Sequence, residues 1–352
     1  MEIAFIVEKL IFILLVFTIT LVVAMYSTYA ERKVAGFIQD RYGPNRAGPF
    51  GLLQPVCDGT KLFAKEDLVV NTRNKWLFIA GPGIAMAVSL LGTAVIPWAK
   101  EFIIMGERYV PQVADVNVAV LFIVAVLSTS VYGIVLGAWA SGNKFALQGA
   151  IRAGAQMISY EIAMGLALIA VIIATGSMSL NDITDHQSAW HGMRWNAIVQ
   201  PISCLIFIIC SFAECNRTPF DLAECESELV NGHHTEFGSM KMGFYMFSEY
   251  ASMFFSSVFI SVLFFGGYNY PGIDWVNETL YAKGDWGVNV ANAIAFLALF
   301  GKTLFFIFFY MWVRWTIPRF RYDQLMRLGW KMLFPLALLN IFIVGIGTLI
   351  FK

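Results

Sequence analysis

KLIFILLVFTITLVVAMYSTYA, residues 9–30, carries no charged side chain after Lys9. As a helix the uncharged part reaches about 31 Å, the thickness of the hydrocarbon core of a bilayer. Seven further apolar segments are long enough to do the same, near 76–98, 114–140, 155–176, 196–213, 243–268, 290–313 and 333–351. Hydrophobic residues make up 58% of the chain and charged ones only 14%, against about 25% charged in soluble domains. The mean hydropathy of +0.67 agrees. Strands of a membrane β-barrel would alternate apolar and polar residues, and no such alternation runs through these segments. The fold class expected is therefore an all-α polytopic membrane protein of about eight transmembrane helices. The leader carries Glu2 and Glu8 in place of a basic cluster, so the first apolar run is read as a retained helix and not a cleaved signal.

Charge is balanced overall but unevenly distributed. Arg32, Lys33, Arg41, Arg46, Lys61, Lys65, Arg73 and Lys75 follow the first helix, and Arg314, Arg319, Arg321, Arg327 and Lys331 precede the last. Basic loops favour the cytoplasmic side, which puts both chain ends on the opposite side. The loop 214–242 then also faces the cytoplasm. No repeat, long linker or low-complexity tract divides the chain, so residues 1–352 are expected to form a single integral membrane domain. Its functional loops would be 31–75 and 214–242.

Within the first of these loops, turn-forming pairs at Gly43–Asn45 and Gly48–Pro49 precede an amphipathic pattern. Gln54, Asp58, Lys61 and Lys65 fall on one side of a helix, and Leu53, Val56, Thr60 and Phe63 on the other. A helix beginning at or kinked by Pro55 and lying in the membrane interface is expected. Gly133 and Gly137 form a GxxxG pair in the third span and predict close helix packing there.

Seven acids crowd into residues 214–249: Glu214, Asp221, Glu224, Glu226, Glu228, Glu236 and Glu249. Acids at membrane depth are costly and are functional candidates for that reason. If 221–228 is helical, Asp221, Glu224 and Glu228 share a face and titrate as a coupled set. Glu161 is the only acid within the fourth span and is expected about one turn into it, Glu249 lies within the sixth, and Glu214 ends the fifth. A solvated acidic loop that docks basic residues of a neighbour is the alternative for 221–236. His233 and His234 are expected in solvent. The five cysteines form no CxxC pair and only four histidines exist, so no metal site is expected in this chain. No GxGxxG after a strand or P-loop appears, so neither flavin nor an iron–sulfur cluster is expected to bind here.

Three stretches carry a resemblance. ERKVAGFIQDRYGPNRAGPFGLLQPVCDGTKLFAKE at 31–66, AECNRTPFDLAECESELVNGHHTEFGSMKMGFYMFSEY at 213–250 and VRWTIPRFRYDQLMRLGWKMLFPLAL at 313–338 closely resemble signatures of one membrane-subunit family, the H subunits of NADH-quinone oxidoreductase (respiratory complex I). Their order, spacing and helix count agree from the first helix to the last. Cys57, Cys225 and the pair His233–His234 depart from the usual family pattern. The resemblance implies a membrane subunit of a proton-translocating enzyme, active only in its complex, in a bacterial cell inner membrane. Quinone would be its substrate, delivered from lipid near the first helix and the amphipathic helix into a tunnel. Arg32, Arg41, Asp58, Arg217, Asp221 and Arg314 would give that tunnel a charged lining. Glu31, Glu161, Glu214, Glu224, Glu226, Glu228, Glu236 and Glu249 would couple quinone reduction to proton transfer. Implied partners are the iron–sulfur and quinone-site subunits of the peripheral arm, small neighbouring membrane subunits and the lipid bilayer, with no nucleic acid. A membrane anchor for a related energy-converting hydrogenase and a stand-alone proton or ion antiporter are the rival readings of the same intramembrane acids.

Overall fold

The computed structural model describes residues 2–68, 74–104, 106–223 and 226–350, without the side chains of 2–5, 104, 226 and 227. Helix α1, Glu2–Ile38, is followed by the short α2, Gln54–Ala64. Then come α3 (Lys75–Leu91), α4 (Ala119–Ala140), α5 (Lys144–Thr175), α6 (Pro201–Glu214), α7 (Ser239–Phe264) and α8 (Asp285–Thr316). The last, α9, runs over Tyr322–Ile350 and includes one π-helical stretch at Leu328–Leu333. Among the described residues one hairpin pairs β1 (Phe102–Ile104) with β2 (Glu107–Tyr109), Ile103 opposite Arg108. Asn289 of α8 clamps it, donating to the Ile103 carbonyl at 2.6 Å and accepting from the Ile103 N–H at 2.7 Å.

Among the described residues seven helices are long and apolar enough to span a bilayer. The chain is an all-α polytopic membrane protein. The fifth of the eight expected spans, 196–213, is interrupted. Asn196–Val199 and α6 are separate helices because Gln200 leaves helical geometry (φ −133°, ψ 64°) and Pro201, with no N–H to donate, starts a new helix. The break survives because it is enclosed by protein: Gln200 is buried, donates to the Ala170 carbonyl and accepts from Ser203.

Helix bounds differ most from expectation at α1, α5 and α9, the last starting eleven residues before 333. Helix α1 extends eight residues past Ala30 to Ile38. Helix α5 begins at Lys144, capped by the Asn143 side chain accepting from the Phe145 N–H at 2.9 Å. Its first part, KFALQGAIRAGAQ, is too polar to register as a span but forms helix readily. Glu161 therefore sits at mid-helix and not one turn from the start.

Helix α7 is central. Its apolar window is 78% buried, more than any other span, and Phe254, Phe255 and Phe259 fill the core around it. Against it, α3 and α4 approach backbone to backbone as the GxxxG pair predicted. A Cβ on Gly81 would lie 2.7 Å from the Gly137 Cα, and one on Gly133 would lie 2.8 Å from the Ala85 nitrogen. Leu10, Leu14, Leu297, Phe305 and Leu349 are turned outward, which suits a lipid boundary and not water.

Helix α2 has the expected polar face, with Pro55 in its first turn. Val56 and Phe63 on the opposite face are exposed, Phe63 by 73%. At its C-terminal end Ser239 donates to the carbonyls of Leu62 and Lys65, both at 3.0 Å. Lys241 pairs with Asp67 at 2.7 Å. These contacts bind the first loop to the start of α7.

Candidate functional site

Three helices and one loop converge on Glu31. Burial of its carboxylate is tolerable only with close cations. Arg217 Nη1 donates to Oε2 at 2.8 Å and Arg314 Nη1 to Oε1 at 2.5 Å. Tyr250 of α7 brings its hydroxyl to the same carboxylate, and the Arg217 guanidinium stacks over its ring at 4.1 Å. Burial alone would loosen the proton on Arg217, but the Glu31 carboxylate together with Tyr250 and Glu249 outweighs this and raises its pKa. The guanidinium remains charged. Its Nε and Nη2 are buried with no hydrogen-bond partner among the described residues. The knot ties α1, α7, α8 and the loop after α6 together.

Beside it lies a pocket of about 250 Å³ between α1, α2 and α7. Met25, Leu62, Met246 and Phe247 give it apolar walls, and Arg32, Asp58 and Lys61 a charged rim. Arg32 and Asp58 form an ion pair at 2.8 Å, and Gln54 donates to the other Asp58 oxygen at 3.2 Å. Tyr250 also lines it, so pocket and knot share a side chain.

A second cavity, of about 40 Å³, lies deeper between α3, α4, α5, α6 and α7. That is room enough for a water molecule. Glu214, Glu249, Ser130, His233, His234 and Tyr245 are among its walls. Glu214 is 7% exposed and has Ser130 Oγ at 3.5 Å. No ion pair reaches it among the described residues. Glu161 of α5 is close enough to Glu214 for electrostatic interaction, and Ser128 Oγ donates to Glu161. Two serines of α4, Ser128 and Ser130, thus each contact one of these acids.

The remaining acids of the cluster are dispersed. Residues 221–223 are not helical, and the only helix described in this stretch is Glu226–Leu229, so Asp221 and Glu228 share no helix face. The reason is visible in their partners. Asp221, buried, pairs with Arg319 at 2.9 Å. Glu228, largely exposed, pairs with Arg152 of α5 at 2.5 Å. Separate cations pull the two carboxylates to different places. Glu236 accepts from Asn143 at 2.7 Å, which fastens the loop to the start of α5. Glu224 and Cys225 lie outside the described residues, as does the side chain of Glu226. Arg41 stands apart, exposed at a surface pocket with Lys33, Asp40 and Tyr42, where its Nε donates to Gln39 at 2.7 Å.

The histidines are a second correction. His233 and His234 are 3% and 2% exposed, not solvated. They lie in a one-turn helix, Gly232–His234, that folds inward between Tyr245 and α5, where a Cβ on Gly149 would come within 3.0 Å of the His233 nitrogen.

The fold and this site define a multi-pass membrane protein with charged groups collected at one end of its bundle. The NADH dehydrogenase family profile matches residues 10–345. The H subunit of NADH-quinone oxidoreductase from Flavobacterium psychrophilum is 60% identical over the full length of both chains. Its counterpart from Flavobacterium johnsoniae is 61% identical, covering 98% of this chain and 96% of that one. The NADH-quinone oxidoreductase subunit numbered 8 from Rhodothermus marinus is 44% identical over 96% of each. The chain belongs to the NADH dehydrogenase family.

Proposed function

We propose that this chain is the quinone-site membrane subunit of a proton-translocating NADH:quinone oxidoreductase. One observation carries the reading. Glu249 and Tyr250, adjacent on α7, face the deep cavity and the α1–α2–α7 pocket respectively. A single turn of helix therefore joins a space suited to an apolar tail and polar headgroup to a space walled by acids.

The pocket would admit quinone from the lipid beside α1 and α2, its isoprenoid tail against Met25, Met246 and Phe247. Arg32 and Asp58 line the entrance, and Tyr250 with the Glu31–Arg217–Arg314 knot lies at the headgroup end. Asp221 holds the loop after α6 through its pair with Arg319, and Arg41 stands apart from the pocket. Two-electron reduction of quinone to its dianion places negative charge next to this knot until two protons convert it to neutral quinol, and Glu249 lies within electrostatic reach of Arg217. The change would be relayed through Glu249 to Glu214 and on to Glu161, moving protons toward the middle of the membrane. Electrons come from iron–sulfur subunits of a peripheral arm docked on the loops 31–75 and 214–242. The membrane is a bacterial inner membrane with both termini periplasmic, and residues 1–352 act as one domain.

A photoreactive azidoquinone bound to the intact complex tests the pocket. Label is expected on peptides covering 54–64 and 243–250, and competition by unlabelled quinone should remove it. Competable label elsewhere in the complex, with none on these two peptides, overturns the tunnel reading.

A further inference from the structure

The deep cavity has two wall residues that the carboxylate relay leaves idle, His233 and His234. Their ring centroids are 3.8 Å apart. The Tyr245 ring packs on both, at 5.4 Å and 5.1 Å, while its hydroxyl donates to the Gly133 carbonyl at 3.0 Å. Tyr245 therefore fixes the imidazoles in place without offering its own proton to the cavity. The other groups facing them are Ser89 of α3, Ser130 of α4, Glu214 of α6, Cys215 and Asn216 after it, and Ser248, Glu249 and Ser252 of α7. The α5 contribution is Met157. No lysine or arginine is among these lining residues, so the carboxyls are the cavity's counter-charge for an imidazolium.

We propose that His233 and His234 form a one-proton imidazole store on this cavity, exchanging that proton with Glu214 and Glu249. The proposal rests on the coupling reading and adds residues to it. Imidazole is the side chain whose ordinary titration spans neutral pH. Two imidazoliums with rings 3.8 Å apart would repel, so the proposed store holds one proton in place of two. The step moves one proton and no electrons. An imidazolium N–H transfers its proton, directly or through cavity water, to a carboxylate oxygen, leaving a neutral imidazole and a carboxylic acid. Reprotonation of the imidazole resets the store.

The test uses the intact complex carrying His233→Gln and His234→Gln together, beside Glu214→Gln. Glutamine keeps hydrogen-bonding capacity but does not titrate. Quinone-linked turnover and proton uptake are followed from about pH 5.5 to 8.5, the range in which imidazole changes charge. Electron transfer from NADH to ferricyanide reports that the complex is assembled. The double variant is expected to lose about 10-fold or more in coupled rate, as for loss of a general acid–base group, and to lose the imidazole limb of its pH profile. A wild-type pH profile in the double variant overturns the store, whatever its rate, because a packing defect lowers rate without moving that profile. If Glu214→Gln is inactive while the double variant keeps the wild-type profile, only the store fails. If Glu214→Gln also pumps normally, the coupling reading fails with it. Should the double variant not assemble, infrared difference spectra of isotope-labelled histidine in the unaltered complex decide. Imidazole bands that change on quinone reduction support the store, and unchanged bands overturn it.

Discussion

Two glutamates lie equally deep in this protein and are treated in opposite ways. Glu31 is 5% exposed and is held by two arginines. Glu214 is 7% exposed and faces a small cavity, a serine and other acids, with no ion pair among the described residues. Burying a charge is expensive unless it is paired. The first site meets that cost with cations and becomes a fixed joint between helices. At the second, no cation among the described residues fixes the charge state, which suits the proton transfer proposed for it. The two sites differ in their partners and not in their depth.

The most severe way to break this comparison is to remove a cation from the knot. Arg217→Met leaves Glu31 with Arg314 alone, and losing one member of a buried charged network costs about 3–5 kcal/mol. The expected result is failure to accumulate assembled complex, read by native gel and NADH–ferricyanide activity in membranes. A smaller effect is expected at the cavity wall. Gly137→Ala drives a Cβ into the Tyr245 hydroxyl, which already occupies that position. Such overpacking costs about 1–3 kcal/mol, seen as a lower melting temperature of the purified complex. Smaller still is the stability effect of Asp58→Ala. Its pair with Arg32 is half exposed, and exposed pairs contribute about 0–1 kcal/mol. Thermal stability should stay near wild type while the KM for quinone rises. If assembled complex is lost as for Arg217→Met, burial is not what separates the two pairs.

The mildest test concerns Cys215, next to Glu214 and walled into the same cavity. Burial pushes its thiol from an ordinary 9.0 up to about 12. The folded state then holds a proton that the unfolded chain releases, so this group's contribution to stability declines as pH rises from about 9 toward 12. At pH 8 it should resist maleimide, detected by mass spectrometry, and react once the chain is denatured. Rapid labelling of the folded complex would show the cavity to be open.

The knot was legible in its parts. Glu31, Arg217 and Arg314 each stand in a long, mixed-composition motif, yet their meeting required distant segments to fold to one end of the bundle, 186 residues separating Glu31 from Arg217. Spans were readable from apolar length alone, except where Asn143 starts α5 within a polar stretch and Pro201 interrupts the fifth crossing. The acidic run misled in one respect. Its spacing implied a shared face, whereas Arg319 and Arg152, distant in sequence, draw Asp221 and Glu228 apart. Nothing local marked His233 and His234 as buried, because their cover comes from Tyr245 and from the Gly149 surface of α5.

Glu214 is held to move a proton where Glu31 holds a charge. The most direct measurement of that difference is proton translocation per electron pair in sealed vesicles bearing the Glu214→Gln complex. Since glutamine breaks no ion pair, assembly and NADH–ferricyanide activity should match the wild type. Quinone-linked turnover and pumping should fall together, by about 100-fold for loss of an essential proton carrier. Wild-type pumping with wild-type inhibitor-sensitive turnover in that complex would contradict the account.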